Sequence, residues 1–398
     1  MNDRRRAASA ELPTLTGLRG FAALWVLLYH VWAASVPRLM TVEAGPLTLD
    51  LTPLFSCGWA GVDIFFTLSA FLLSLPFAAS QLGAMPRPSL GTFWLRRVLR
   101  ILPAHYAQIA VYLVLAALGI GAWPSLAQLA GNLVLWFNFG RLSPAPMNPV
   151  TYTLPIEFCF YLLIPLLALA LRPRWWIALL VFAIVATQAY RHLMFGLVAH
   201  ADIPTRVIAL EQLPGRLDQF VFGMLAAFAY TKCAVSGRLP STRLSDALFG
   251  LGLVAVAGMV VAIHAGSPTY WDGSPLLFSW HGIVGAAVAL MLFAAAAGSP
   301  LARTLFGNRA LRHVGIVSFG LYLWHYPLIG WLEAAHVFDR VEGYRLPWML
   351  PVVLVLSLLL AEISYRLIER PAMRIGRAHE RDPGTRTELV AGTADAVR

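Results

Sequence analysis

Long apolar runs separated by short polar links organise this chain of 398 residues. Eleven runs stand out, at 16–36, 58–79, 101–122, 127–139, 153–171, 175–190, 214–231, 244–264, 277–297, 315–333 and 347–367. Most approach the ~20 residues that an α-helix needs to cross ~30 Å of hydrocarbon. The run 127–139, "AQLAGNLVLWFNF", is shorter and carries Asn132 and Asn138, so it reads as a re-entrant segment. The pattern predicts an all-α integral membrane protein, a helical bundle of about ten transmembrane spans plus one re-entrant or short helix. Residues 1–375 make the membrane-embedded unit, and 376–398 form a polar tail expected to be disordered. No soluble domain and no internal repeat is visible.

Composition excludes the soluble alternative. The chain is 59% hydrophobic and 13% charged, against ~25% charged residues in soluble domains. The formal net charge of +10 sits in the links between apolar runs, not on one soluble face, which argues against a nucleic-acid partner. It fits membrane topology instead. With the amino terminus inside, Arg96, Arg97, Arg100, Arg172, Arg174, Lys232, Arg238, Arg303 and Arg309 all fall on the cytoplasmic side, and both termini are cytoplasmic. If 127–139 crossed the membrane, every later link would change sides and the bias would largely vanish. The basic start "MNDRRR" precedes a long run that holds ionisable residues, so it reads as a retained first span, not a cleaved signal. Cys57, Cys159 and Cys233 lie in separate segments and suggest neither a disulfide framework nor a metal site.

The first run, "LTGLRGFAALWVLLYH", raises the chemical question. Arg19 and His30 are eleven residues apart, three turns plus 20°, so they share a helix face about 16 Å apart along the axis. Arg19 then lies at the inner edge, and His30 lies well into the membrane. Ionisable groups inside a span usually face a cavity or a partner. One such histidine is equally a packing contact, but Asp63 and Glu157 are expected at a similar depth on two other spans. Three groups at one level suggest a shared water-filled pocket. Thr153 stands at i, i+4 from Glu157, on the same face. At the inner side, "TFWLRRVLRILP" puts Arg97 and Arg100 at i, i+3. This is an ordinary topology anchor or a phosphate site, since guanidinium forks bind phosphate in a bidentate manner. Arg19 at the same face favours the phosphate reading. An anionic donor would dock from the cytoplasm, and a histidine higher in the cavity would handle protons. A coenzyme A thioester supplies both phosphates and a carbonyl.

These residues resemble the acyltransferase 3 family of bacterial membrane-bound O-acyltransferases. The matching pieces are "LTGLRGFAALWVLLYH", "GVDIFFTLSAFLL", "FWLRRVLRILP", "TYTLPIEFCFYLLIPLL", "GRLDQFVFGM", "SFGLYLWHYPLI" and "SYRLIERP", in order from residue 15 to about 371. The resemblance implies transfer of an acyl group, acetyl by default, from cytoplasmic acyl-CoA to a hydroxyl of a glycan, a lipid-linked sugar or another small acceptor. It implies a bacterial inner-membrane location and no permanently bound cofactor. The family's Arg-x10-His falls on Arg19 and His30, its Arg-x-x-Arg on Arg97 and Arg100, and its Ser-x3-Glu on Thr153 and Glu157, with Thr in place of Ser. Tyr152 stands where Trp is common, and Phe158 where a second acidic residue is frequent. An additional hydrolase-like domain, present in some relatives, has no room in this sequence.

The expected roles follow. His30 is the general base, Glu157 orients it or the acceptor, and Asp63 is a second candidate for that task. Arg97 and Arg100, with Arg19, hold the coenzyme phosphates. Thr153, Arg216, Asp218 and His325 are candidate substrate contacts. Arg216 and Asp218 are equally an ion pair with Asp63 or Glu157, and the aromatic neighbours of His325 favour a packed core histidine. Glu362 and Arg366 read as a structural i, i+4 pair. Tyr270, Trp271 and Trp348 read as an interfacial aromatic belt. The rival class is a secondary transporter that uses the buried histidine and carboxylates as a proton relay, although a repeat is missing. A structural subunit would make His30 dispensable.

Overall fold

The computed structural model describes residues 12–381 apart from 46, 141 and 142. Among these, eight helical stretches are long and apolar enough to cross a membrane. Helix α1 (Pro13–Ala34) starts on a proline, whose missing N–H costs nothing in a first turn. A small antiparallel hairpin, β1 (Thr41–Ala44) and β2 (Leu47–Asp50), leads to α2 (Gly61–Gln81). Then come α3 (Leu90–Ala117), the short α4 (Leu126–Leu133), α5 (Thr153–Leu167), α6 (Trp176–Val198), the short α7 (Ile203–Leu210) and α8 (Leu217–Val235). The chain continues through α9 (Thr242–Gly266), α10 (Pro275–Ala296), α11 (Arg309–Ala334), α12 (Leu346–Ser364) and α13 (Arg370–Arg381). Ser89, Ser125 and Asn308 cap α3, α4 and α11 by accepting a backbone N–H three residues on. The expected runs 214–231 and 315–333 correspond to α8 and α11, which are not among the eight.

The short run behaves as its asparagines suggest. Helix α4 has 8 residues, far too few to cross ~30 Å. The Asn132 side chain donates to Gln128 O and Ala145 O, and His105 of α3 meets Asn132 O at 2.9 Å. Leu135 and Asn138 then take left-handed backbone angles, φ 56° and 63°, and turn the chain back. At the other end, residues 376–381 of the expected tail are helical. Helix α13, which follows a π-turn at Tyr365–Glu369, runs through Arg381. Residues 382–398, the rest of the expected tail, lie outside the described residues.

Prolines inside helices free carbonyls that then join helices together. Pro165 has no N–H for Tyr161 O, and Trp94 of α3 donates to that oxygen at 3.0 Å. Pro327 likewise frees Leu323 O. Gln108 and Asn148 both donate to it, at 2.6 Å and 3.0 Å, which ties α11 to α3 and to the turn before α5.

Glycines set the closest approach of all. A Cβ on Gly20 would lie 2.1 Å from Leu311 O and 2.8 Å from Gly315 N, and one on Gly315 would lie 1.9 Å from Thr16 O. Helices α1 and α11 therefore touch backbone to backbone, the small-residue seam of a membrane bundle. Ten residues further along each helix stand His30 and His325, which also meet. Two contacts at equal offsets mean that α1 and α11 run parallel and in register over about 15 Å.

Candidate active site

A cavity of about 450 Å³ opens at the end of the bundle where α1 and α3 start and α12 finishes. Arg19, Arg97 and Arg100 all line it, with Ser69, Thr153 and Glu157 deeper in. The i, i+3 spacing of Arg97 and Arg100 does place both on one face of α3. Arg97 Nε is buried without a hydrogen-bond partner among the described residues. Arg100 Nη1 donates to Glu369 at 3.0 Å. Glu157 accepts from Ser69 Oγ at 2.6 Å and from the Tyr161 hydroxyl. The Thr153 hydroxyl lies 3.1 Å from that of Tyr322.

A second cavity of about 590 Å³ occupies the opposite half of the bundle. His30 is on its wall, among the aromatic side chains of Tyr29, Trp59, Tyr152, Tyr270 and Trp271. Val62 and Tyr322 line both cavities. They form the partition between them, and the Tyr322 hydroxyl is fixed by donating to Val150 O. His30 Nδ1 lies 2.9 Å from Val26 O, one turn back, and 3.1 Å from His325 Nε2. The imidazole packs edge-on against Tyr29 and Tyr326.

Three expectations change here. Glu157 does not reach His30. Its partner Ser69 stands six residues, about 9 Å, beyond Asp63 along α2, so Glu157 belongs to the arginine cavity. The reason is that α5 follows a 3-10 turn, Pro149–Tyr152, in which Val150 and Thr151 are already buried. Glu157 thus starts from a deeper point than a surface link would give. Asp63 likewise has partners other than His30. It is fully buried and accepts from Arg216 (3.0 Å), Gln219 (2.7 Å) and His281 (2.6 Å). His30, Asp63 and Glu157 therefore share no single pocket. Third, Tyr270 is buried and lines the His30 cavity with Trp271, whereas Trp348 stays exposed like a belt residue.

The cluster around Asp63 contains residues that sequence reasoning missed. Arg216 contacts Glu211 as well as Asp63, and His281 Nε2 lies 3.1 Å from Glu211. Arg191, just past the expected run 175–190, is buried within α6 and donates to Leu277 O at 2.6 Å and Gly215 O at 3.1 Å. Glu211 lies in the link between α7 and α8. Burial acts to raise its carboxyl, and Arg216, His281 and Arg191 outweigh that and hold it well below the usual carboxylate range. Arg216, Glu211 and His281 show one side to the second cavity. Asp218, one of the candidate substrate contacts, instead accepts from the Gln219 backbone at 2.7 Å at the start of α8. His325 is buried, with both ring nitrogens engaged, at Leu321 O and at His30. It is therefore a neighbour of His30 and not a wall of either cavity. Glu362 and Arg366 pair as expected.

The family model described as an acyltransferase domain matches residues 12–366 of the chain. This chain belongs to the acyltransferase 3 family. Among its curated relatives, the Bacillus subtilis protein named "Putative peptidoglycan O-acetyltransferase YrhL" is 28% identical over 387 residues, covering 90% of this chain and 54% of the relative. The O-acetyltransferase OatA of Staphylococcus aureus is 25% identical, covering 92% of this chain and 58% of its own length. The peptidoglycan O-acetyltransferase OatA of Listeria monocytogenes is 24% identical over 399 residues, covering 93% and 57%. The chain thus spans little more than half the length of these acyltransferase 3 relatives. No solved structure matches it.

Proposed function

We propose that this chain is a membrane O-acyltransferase that moves an acyl group, acetyl by default, from acyl-CoA to a hydroxyl of a glycan or lipid-linked sugar. The observation that carries this reading is the pair of cavities that meet at Val62 and Tyr322, one walled by three arginines and the other by His30 and aromatic rings. The arginine cavity suits a diphosphate, because guanidinium forks match phosphate geometry and charge. The aromatic cavity lies within the ~300–1,000 Å³ range of small-ligand sites. Its ring faces, with Glu211, Arg216 and His281 beside them, suit a hydroxyl-rich sugar ring.

In this reading the bundle has ten spans, α8 and α11 included, and both termini are cytoplasmic. The arginine cavity then faces the cytoplasm of a bacterial inner membrane, where acyl-CoA is available. The pantetheine arm runs from Arg19, Arg97 and Arg100 toward the partition. His30 Nε2 takes the proton of the acceptor hydroxyl as its oxygen attacks the thioester carbonyl. The carbon–sulfur bond breaks, and the coenzyme thiolate recovers the proton from the imidazolium. Thr153 lines the donor route, and Glu157 offsets positive charge among the arginines. Asp63 holds Arg216 at the acceptor wall.

The test uses the protein in nanodiscs with a panel of acyl-CoAs. Binding, with slow release of free thiol that is lost in His30→Ala, is the expected result. If folded protein binds no acyl-CoA, the donor site is elsewhere. A transport assay on the same sample asks whether an acceptor crosses with unchanged mass, as an exporter requires.

A further inference from the structure

His30 needs a partner to fix which nitrogen carries its proton, and both carboxylates first considered for that task have other partners. The hydrogen bonds decide the matter. His325 Nδ1 lies 3.0 Å from Leu321 O, and His30 Nδ1 lies 2.9 Å from Val26 O. A carbonyl oxygen only accepts, so both Nδ1 atoms carry a hydrogen. Neutral His325 then has a bare lone pair on Nε2, and that atom faces His30 Nδ1 at 3.1 Å. The Nδ1–H of His30 is shared between Val26 O and His325. Its Nε2 is left unprotonated, with no hydrogen bond to it among the described residues, on a ring that lines the cavity.

We infer that His325 is the positioning residue of His30: it holds the base in the tautomer with a free Nε2 and accepts from Nδ1–H when His30 becomes an imidazolium. In a serine hydrolase triad a buried aspartate does this. Here a neutral imidazole does it, which avoids an isolated anion inside the membrane, a costly arrangement. The geometry is built to last. The glycine seam sets α1 against α11 in register, and Gln108 and Asn148 hold Leu323 O two residues before His325. The groups facing His30 from its surroundings are Tyr29, Tyr326 and His325 at the ring, with Glu333 on the wall of an adjoining cavity. None of the other three contacts Nδ1.

This inference rests on His30 as the base, and the test separates the two. His30→Ala, His325→Leu and His325→Gln are compared in nanodiscs by steady-state kinetics and by the imidazole ¹⁵N spectrum. Leucine fills the space without an acceptor, and glutamine offers an amide oxygen to Nδ1–H. His325→Leu is expected to fold, to keep the donor KM, and to lose about 10²-fold or more in kcat, within the ~10²–10⁴ range of general-base effects. Its His30 signals should show mixed tautomers. His325→Gln should recover to within roughly tenfold of wild type and keep the single tautomer. Equal kcat and an unchanged tautomer in His325→Leu would overturn the inference while leaving the base assignment intact. Full activity in His30→Ala would instead remove the base, and the inference with it.

Discussion

Arg100 and Glu369, 269 residues apart in the chain, form an ion pair at 3.0 Å on the wall of the arginine cavity. Glu369 is buried and also accepts from Ser364 at 3.3 Å. It ends the π-turn Tyr365–Glu369, whose added residue turns the carboxylate inward, a common arrangement at functional sites. The pair fixes one edge of the guanidinium and leaves the rest for a ligand. Glu369→Ala should raise the acyl-CoA KM by roughly tenfold with little change in kcat, the loss of about 1.5 kcal/mol expected for a charged hydrogen bond. Arg100 is partly exposed, so solvent screening keeps the effect on stability small. A lower kcat at unchanged KM would show that Glu369 serves another step.

Arg97→Ala with Arg100→Ala should weaken donor binding more strongly. Two charged contacts of ~1.5–3 kcal/mol each correspond to at least a hundredfold rise in the acyl-CoA Kd. Arg97→Lys should recover only part of it, since an ammonium lacks the fork. Titration calorimetry with a non-hydrolysable acyl-CoA analogue measures this directly. Weaker acceptor binding with unchanged donor binding would reverse the assignment of the two cavities.

Arg216 is the centre of the buried charge cluster, with Asp63, Glu211 and His281 around it. Arg216→Met leaves buried Asp63 without its arginine and Glu211 with Arg191 as its remaining arginine. Breaking such a set costs about 3–5 kcal/mol, so folded yield and thermal stability in detergent should fall sharply. The triple change Arg216→Met, Asp63→Asn, Glu211→Gln should recover part of the stability, because the stranded charges are gone.

Acid should attack the same cluster. The Glu211 carboxyl is held below its ordinary value, so its contribution is complete above the unfolded carboxylate pKa of ~4.3. It is lost as pH falls through the lower, folded value. Thermal stability should therefore decline on acidification below about pH 4–5, and Glu211→Gln, less stable at neutral pH, should show a flatter acid limb. An identical limb in both proteins would assign acid sensitivity to other groups.

Gly20→Ala or Gly315→Ala places a methyl within about van der Waals radius of a backbone carbonyl. The helices must separate, and overpacking of this kind costs roughly 1–3 kcal/mol. Activity should fall further than stability does, because the same displacement pulls His30 from His325 ten residues along. Activity that follows stability alone would detach the seam from the site.

Much of this was readable along single helices. The short helix α4 showed in the length of its run and in Asn132 and Asn138, and the shared face of Arg97 and Arg100 in their i, i+3 spacing. Arg19 and His30 share a face by helix geometry, and each lines a cavity. What failed required knowledge of how helices meet. Depth along a span is a matter of counting, but the starting level of α5 depends on a turn sunk into the protein, which moved Glu157 to the other cavity. His281 and Glu369 meet Asp63 and Arg100 from 218 and 269 residues away, and Glu211, close to Arg216 in the chain, lies in a link outside the apolar runs, so no local period marks them. The freed carbonyl before Pro327 was a visible signal, and it points to the vicinity of His325.

The thin partition at Val62 and Tyr322 has an electrical consequence. If water fills both cavities, little low-dielectric material is left between them, so a transmembrane voltage drops chiefly across these two side chains. A charge carried past them would do work of ~2.3 kcal/mol per 100 mV. In the proposed reading a neutral acyl group would do none, while the charged part of acyl-CoA would stay with Arg19, Arg97 and Arg100. Under that proposal, transfer past the partition would need the same energy whether the cell is energised or not.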